Sequence, residues 1–179
     1  MIIAKPIKKS ISIPLQTFPT VNGTKPCLET LPTDVIHFYK RKEGDFIDKV
    51  FGKDNVINNK VDQVLSIITT RPLGHIYQRR TLECQACIYN NTVFLSSPFV
   101  GTNAGLLNWA PGDFQSCVTH LIELAEEKTG CSALVVAIDK QDKAEVNVVL
   151  RAFMYLGFEM MNPLIYRQDA RFIFVGYEI

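Results

Sequence analysis

Two cysteines three positions apart, Cys84 and Cys87, are the first residues in this sequence whose spacing could do chemistry. A Cys-x-x-Cys pair can supply half of a zinc site or form a redox-active disulfide. A structural zinc site needs four ligands, and no second pair of cysteines or histidines follows at ligand spacing. The alternating pattern around Leu82 predicts a strand, in which residues three apart point to opposite faces. We therefore expect neither a metal site nor a redox centre at this pair.

The histidines and serines do not form a recognisable nucleophile motif. His37, His75 and His120 are far apart in the sequence, and no serine has the flanking glycines of a nucleophile elbow. The glycine-containing loop at residues 101–105 precedes a helix and could present N–H groups to a phosphate. It matches neither the P-loop nor the dinucleotide-binding pattern, so a plain connecting loop is the simpler interpretation. We expect no catalytic residue and no cofactor.

Three glutamates, Glu123, Glu126 and Glu127, are spaced so that a helix would place them on one outward face. Like charges at this spacing repel each other by roughly a few tenths of a kcal/mol per pair, and carboxylates near a helix C-terminus oppose its dipole. A partner with a basic surface would convert this cost into attraction. The glutamates therefore predict a protein-binding face, with a merely solvated face as the alternative.

The glutamates belong to the most clearly predicted helix of the chain, residues 114–128, with Asp113 as N-cap and Gly130 as C-terminal stop. A second helix is predicted at residues 143–156, behind a capping box that begins at Asp142. Strands are predicted at residues 64–70, 80–89, 92–95, 132–138, 158–160 and 171–177. This order predicts an α/β (α+β) fold in which helices pack on a mixed β-sheet.

The N-terminal third has a different character. Five prolines among residues 1–34 predict a segment without regular structure, and short apolar clusters predict one or two short helices within residues 35–63. We therefore divide the chain into a flexible N-terminal region, residues 1–63, and a globular domain, residues 64–179.

Composition narrows the classes of protein further. No apolar run approaches the roughly 20 residues of a membrane span, so we expect no membrane partner. Five cysteines at irregular spacing are typical of a reducing compartment, which favours the cytoplasm or the nucleus. The basic run at residues 40–42 is short and is followed at once by acidic residues, so we expect no nucleic acid partner.

Two segments resemble the C-terminal core of the ornithine decarboxylase antizymes. One is LIELAEEK at residues 121–128, and the other is DKQDKAEVNVVLRAFMYLGFE at residues 139–159. The ending DARFIFVGY, residues 169–177, is similar to the last strand of that family. The resemblance extends over residues 90–179 and implies a fold of the acyl-CoA N-acyltransferase type.

N-acetyltransferases share that fold and provide the alternative function. They hold the pyrophosphate of acetyl-CoA in an Arg/Gln-x-x-Gly-x-Gly/Ala loop before the central helix, whereas residues 108–113 of this chain lack that pattern. Where those enzymes often have a tyrosine as general acid, this chain has Phe153. The resemblance therefore implies the fold without the cofactor loop and a binding protein instead of an enzyme. A generic interaction module with another partner is the third interpretation.

The resemblance implies a mechanism by competition. An antizyme binds one subunit of ornithine decarboxylase, replaces the second subunit of the homodimer, and delivers the complex to the proteasome without ubiquitin. Antizymes also restrain polyamine uptake, and their synthesis depends on ribosomal frameshifting. By resemblance, Glu123, Glu126 and Glu127 face a basic surface of the decarboxylase. Gln115 stands where animal antizymes have a lysine, which alters one expected contact of that interface.

Overall fold

Strands and helices alternate through the part of the chain that this computed structural model describes, residues 33–39, 46–72, 79–99, 109–110, 112–141 and 143–179. In chain order the elements are β1 (Thr33–Tyr39), α1 (Phe46–Phe51), α2 (Val56–Asn59), β2 (Gln63–Pro72), β3 (Arg79–Tyr89), β4 (Thr92–Ser96), α3 (Asp113–Leu124), β5 (Ala133–Asp139), α4 (Lys143–Tyr155), β6 (Glu159–Met160), α5 (Pro163–Tyr166) and β7 (Phe172–Glu178). None of the helices in these ranges is long and apolar enough to cross a membrane.

A seven-stranded open sheet connects these elements, with the strand order β1-β2-β3-β4-β5-β7-β6. Strands β4 and β5 are parallel, and the other neighbouring strands are antiparallel. Parallel neighbours need a crossover connection, because a tight turn cannot return the chain to the same end, and the segment containing α3 supplies it. The prediction of helices on a mixed sheet is confirmed, whereas the likeness to the N-acyltransferase fold stays a prediction.

Two apolar cores lie on opposite faces of the sheet. On β3, the buried Leu82, Cys84 and Ala86 belong to the first core, and Cys87 belongs to the second. This follows from the alternation of side chains along a strand. Helices α3 and α4 cover the first core, and α1 and α2 cover the second. The sheet is therefore sandwiched between helices, and α3 is held against it by the first core.

Helix α3 packs on the sheet through one side of the helix. Its buried residues, with that of the following turn, are Cys117, Val118, His120, Leu121, Leu124 and Ala125. The helix continues as a π-helical turn, Ala125–Thr129, and ends at Gly130 with φ 65°. The prediction of Asp113 as N-cap is wrong, because the left-handed Gly112 (φ 88°) takes that place and Asp113 is the first helical residue. Glycine adopts this left-handed conformation without a Cβ penalty, and no side-chain hydrogen bond caps this end of the helix.

Strand β1 was not predicted from the sequence. The expectation of no regular structure up to residue 34 is wrong at Thr33 and Asp34, which begin β1; the preceding residues lie outside the described ranges. The strand exists because it pairs antiparallel with β2, from Thr33 opposite Thr70 to Tyr39 opposite Val64. Helices α1 and α2 confirm the short helices predicted within residues 35–63.

The C-terminal half matches its sequence signals closely. Asn90 and Asn91 form the predicted turn between β3 and β4 at φ 48° and 60°, values that asparagine tolerates. Helix α4 buries Val146, Val149 and Phe153, as its apolar stripe predicts. Its proposed capping box begins at a residue outside the described ranges. The short helix α5 had no prediction. Where the chain divides into domains also stays a prediction.

Candidate protein-binding face

Helix α3 and the π-helical turn carry the acidic face, which we define as Glu123, Glu126 and Glu127. All three side chains are exposed, and so is that of Gln115 near the start of the helix. Eight residues of α-helix span about 12 Å, so Gln115 and Glu123 lie about two turns apart. The structure thus brings the four predicted side chains to the solvent side of one continuous helical segment. Which molecule they contact stays a prediction.

The backbone gives the two later glutamates no electrostatic support. Glu126 and Glu127 lie within the π-helical turn, where the N–H of Gly130 donates to the carbonyl of Glu126. Carbonyl groups at a helix C-terminus carry partial negative charge, which disfavours nearby carboxylates. Among the residues that the structure describes, neither glutamate forms an ion pair. The described part of the protein therefore leaves this negative charge uncompensated.

A buried polar group lies directly behind the acidic face. His120 is 6% exposed, and its Nε2 lies 2.7 Å from Oδ1 of Asp34 on β1. The hydroxyl of Thr69 on β2 donates to the same oxygen at 2.7 Å. The Nδ1 of His120 lies 3.5 Å from Oε2 of Glu123. The sequence offered only the three-residue spacing to Glu123 as a signal, since Asp34 is 86 residues away.

The four cysteines that the structure describes are buried core residues. Cys84 and Cys87 face opposite sides of the sheet, as the predicted strand requires. Burial raises the pKa of Cys84 to about 12, with smaller contributions from Glu83 and Cys117. Metal binding and thiol redox chemistry need a thiolate, which this raised pKa disfavours. Cys117 and Cys131 are also buried in the core. The described ranges contain no group of three or more potential metal ligands.

Phe153 occupies the middle of an aromatic cluster. It is fully buried, and its ring centroid lies 4.9 Å from that of Phe158 and 5.2 Å from that of Phe114. Phe99 joins the cluster at 5.7 Å from Phe153, and the ring of Trp109 packs against that of Phe99. The position where acetyltransferases often carry a tyrosine is therefore a dry apolar site.

A groove of about 600 Å³ opens beside β6 and α5. Its lining includes Glu159 and Glu178 together with the apolar Met160 and Ile165, and none of the described residues that line it is a lysine, arginine or histidine. A cofactor pyrophosphate is held by positive charge or by converging N–H groups, so two carboxylates oppose its binding. The groove does not favour the acetyltransferase alternative.

Comparison with known proteins identifies the family to which this sequence belongs. The search of curated proteins found no match. Residues 89–179, just over half of the chain, match the family model described as ornithine decarboxylase antizyme. The matched part begins at the last residue of β3 and contains the acidic face, α4 and β7. The chain therefore belongs to the ornithine decarboxylase antizyme family, whose members are inhibitory proteins and not enzymes.

Proposed function

We propose that this chain inhibits ornithine decarboxylase by binding one of its subunits through the acidic face and displacing the second subunit of the homodimer. The observation that carries the proposal is the exposure of Glu123, Glu126 and Glu127 on a helical segment that lies within the matched region. Their mutual repulsion and their position near a helix C-terminus raise the electrostatic energy of the unbound protein. A basic partner surface would attract the same three carboxylates and so stabilise the complex.

The proposal extends to the fate of the bound subunit. That subunit is delivered to the proteasome without ubiquitin, and the chain restrains polyamine uptake, in the cytoplasm and the nucleus. The support is the resemblance of residues 121–128 and 139–159 to antizymes together with the family match. Gln115 lies at the opposite end of the exposed helix surface and forms the edge of the proposed interface.

The test reverses the charge of the acidic face. In a triple variant, Glu123→Lys, Glu126→Lys and Glu127→Lys, attraction to a basic surface becomes repulsion. Like-charge juxtaposition at an interface costs several kcal/mol, so we expect inhibition to weaken by at least about a hundredfold. Solvent-exposed substitutions usually change stability by under about 0.5 kcal/mol, so the fold should persist. Titration of decarboxylase activity measures inhibition, and circular dichroism measures folding.

A matched control makes the same change of net charge elsewhere. Asp54, Asp62 and Glu178 are exposed and lie outside α3 and its π-helical turn. Changing these three residues to lysine should leave inhibition near that of the wild type. Added salt should weaken the wild-type complex, mainly through slower association, because exposed charges steer the encounter. A folded acidic-face variant that inhibits as well as the wild type would refute the assignment of this interface.

A further inference from the structure

His120 connects the acidic face to the edge of the sheet. Its Nε2 contacts Asp34 on β1 at 2.7 Å, and Asp34 is also held by the hydroxyl of Thr69 on β2. A carboxylate can only accept hydrogen bonds, so Nε2 must carry the proton in this contact. The contact therefore anchors α3 to a strand whose only neighbour in the described sheet is β2.

The other ring nitrogen of His120 faces Glu123. The distance from Nδ1 to Oε2 is 3.5 Å, which is within the range of an ion pair, and Nδ1 forms no hydrogen bond to any of the described residues. The glutamate side chain is 54% exposed, while the imidazole is almost fully enclosed. A rigid buried group thus lies beside one carboxylate of the face that would meet a partner.

We propose that His120 is a positioning residue of the binding face and acts there as an imidazolium, in which both ring nitrogens carry a proton: Nε2–H fixes the ring through Asp34, and Nδ1–H forms the ion pair that orients the carboxylate of Glu123 toward the partner. This inference rests on the proposed function. An exposed glutamate normally loses rotamer freedom when it binds, and a side chain already held in place loses less. His120 therefore raises affinity without touching the partner, and it couples the N-terminal strand β1 to the binding helix.

Two substitutions separate the two ring nitrogens. In His120→Gln, the side-chain amide reaches the position of Nε2 and can still donate to Asp34, but nothing faces Glu123. In His120→Asn, the shorter amide lies near the position of Nδ1 and can donate to Glu123, but the contact with Asp34 is lost. If His120 had only a structural role, glutamine would replace it better than asparagine would. The orienting role predicts instead that the glutamine variant keeps its fold but binds the decarboxylase more weakly than the wild type does.

The decisive experiment is a double-mutant cycle on the full chain, with binding to a decarboxylase subunit measured by calorimetry. We expect His120→Gln to weaken binding by about threefold to tenfold when Glu123 is present, and by less than about twofold in a Glu123→Gln background. In a Glu127→Gln background the loss should persist, because the ion pairs of His120 among the described residues are with Asp34 and Glu123 and not with Glu127. An equal loss in all three backgrounds, or no loss in any, would overturn the proposal.

A second measurement does not depend on the partner. The ring ¹⁵N resonances of His120 in the isolated chain should respond separately, Nδ1 to Glu123→Gln and Nε2 to Asp34→Asn. An Nδ1 resonance that ignores Glu123→Gln would overturn the orienting contact. If both responses occur but the wild-type chain does not bind the decarboxylase, the proposed function fails while the geometry of His120 stands.

Discussion

At the scale of one residue, introducing a tyrosine at position 153 tests how far this chain is from an acetyltransferase. Phe153 is fully buried among aromatic rings, so an added hydroxyl would lack both solvent and a hydrogen-bond partner. An unsatisfied buried polar group costs about 1–3 kcal/mol. We expect Phe153→Tyr to lower the free energy of unfolding by that amount and to create no acetyl-CoA binding. Denaturant unfolding and calorimetry with acetyl-CoA measure the two effects.

Phe114→Tyr provides the matched control, because Phe114 belongs to the same cluster but is only half-buried. Its added hydroxyl can reach water, so the free energy of unfolding should change by less than about 0.5 kcal/mol. Equal stability of the two tyrosine variants, or acetyl-CoA binding by either, would contradict this description of the site.

At the scale of elements, the C-terminus of α3 decides how the acidic face is presented. Gly130 has φ 65°, and an added Cβ would meet no atom within 4 Å, so a substitution brings backbone strain without a clash. We expect Gly130→Ala to lower the free energy of unfolding by about 1–2 kcal/mol. Gly130→Asn should cost less, because asparagine tolerates left-handed backbone conformations. Urea unfolding compares the variants, and equal losses would argue against strain as the cause.

Most elements could be predicted because their signals are local. The 3.6-residue period of the apolar stripes in α3 and α4 and the continuous apolar run of β5 each arise within one segment. No local sequence signal predicts the π-helical turn at Ala125–Thr129. The prediction that Glu126 and Glu127 share one face therefore assumes α-helical spacing, which these two residues do not follow. Exposure of these glutamates was nevertheless predicted correctly, since it depends only on the apolar residues that face the core.

At the scale of the whole molecule, the N-terminal elements complete the second core. Four large apolar side chains from α1 are buried in it: Phe46, Ile47, Val50 and Phe51. The ring of Phe51 lies 5.4 Å from that of Phe94 and 5.8 Å from that of Phe174. Burying one such side chain contributes roughly 1.5–3 kcal/mol, so together they rival the roughly 5–15 kcal/mol stability of a typical domain. We expect a fragment of residues 64–179 to lose cooperative unfolding and a fragment of residues 33–179 to keep it.

Urea unfolding followed by circular dichroism compares both fragments with the full chain. The longer fragment serves as the control, since it lacks only residues 1–32. If residues 64–179 unfold cooperatively with the stability of the full chain, the domain division drawn from the sequence is right and the N-terminal packing contributes little.

The sequence by itself determined the family, the two long helices, the buried strand between them and the exposed glutamates, because each depends on a short contiguous pattern. Only the tertiary structure decided that Thr33–Tyr39 forms a strand, since its hydrogen-bond partners lie on β2. It alone placed Asp34 beside His120, 86 residues further along the chain. A local pattern reports which side of an element is apolar, but the element that covers that side is set by the packing of the whole chain, which no single segment encodes.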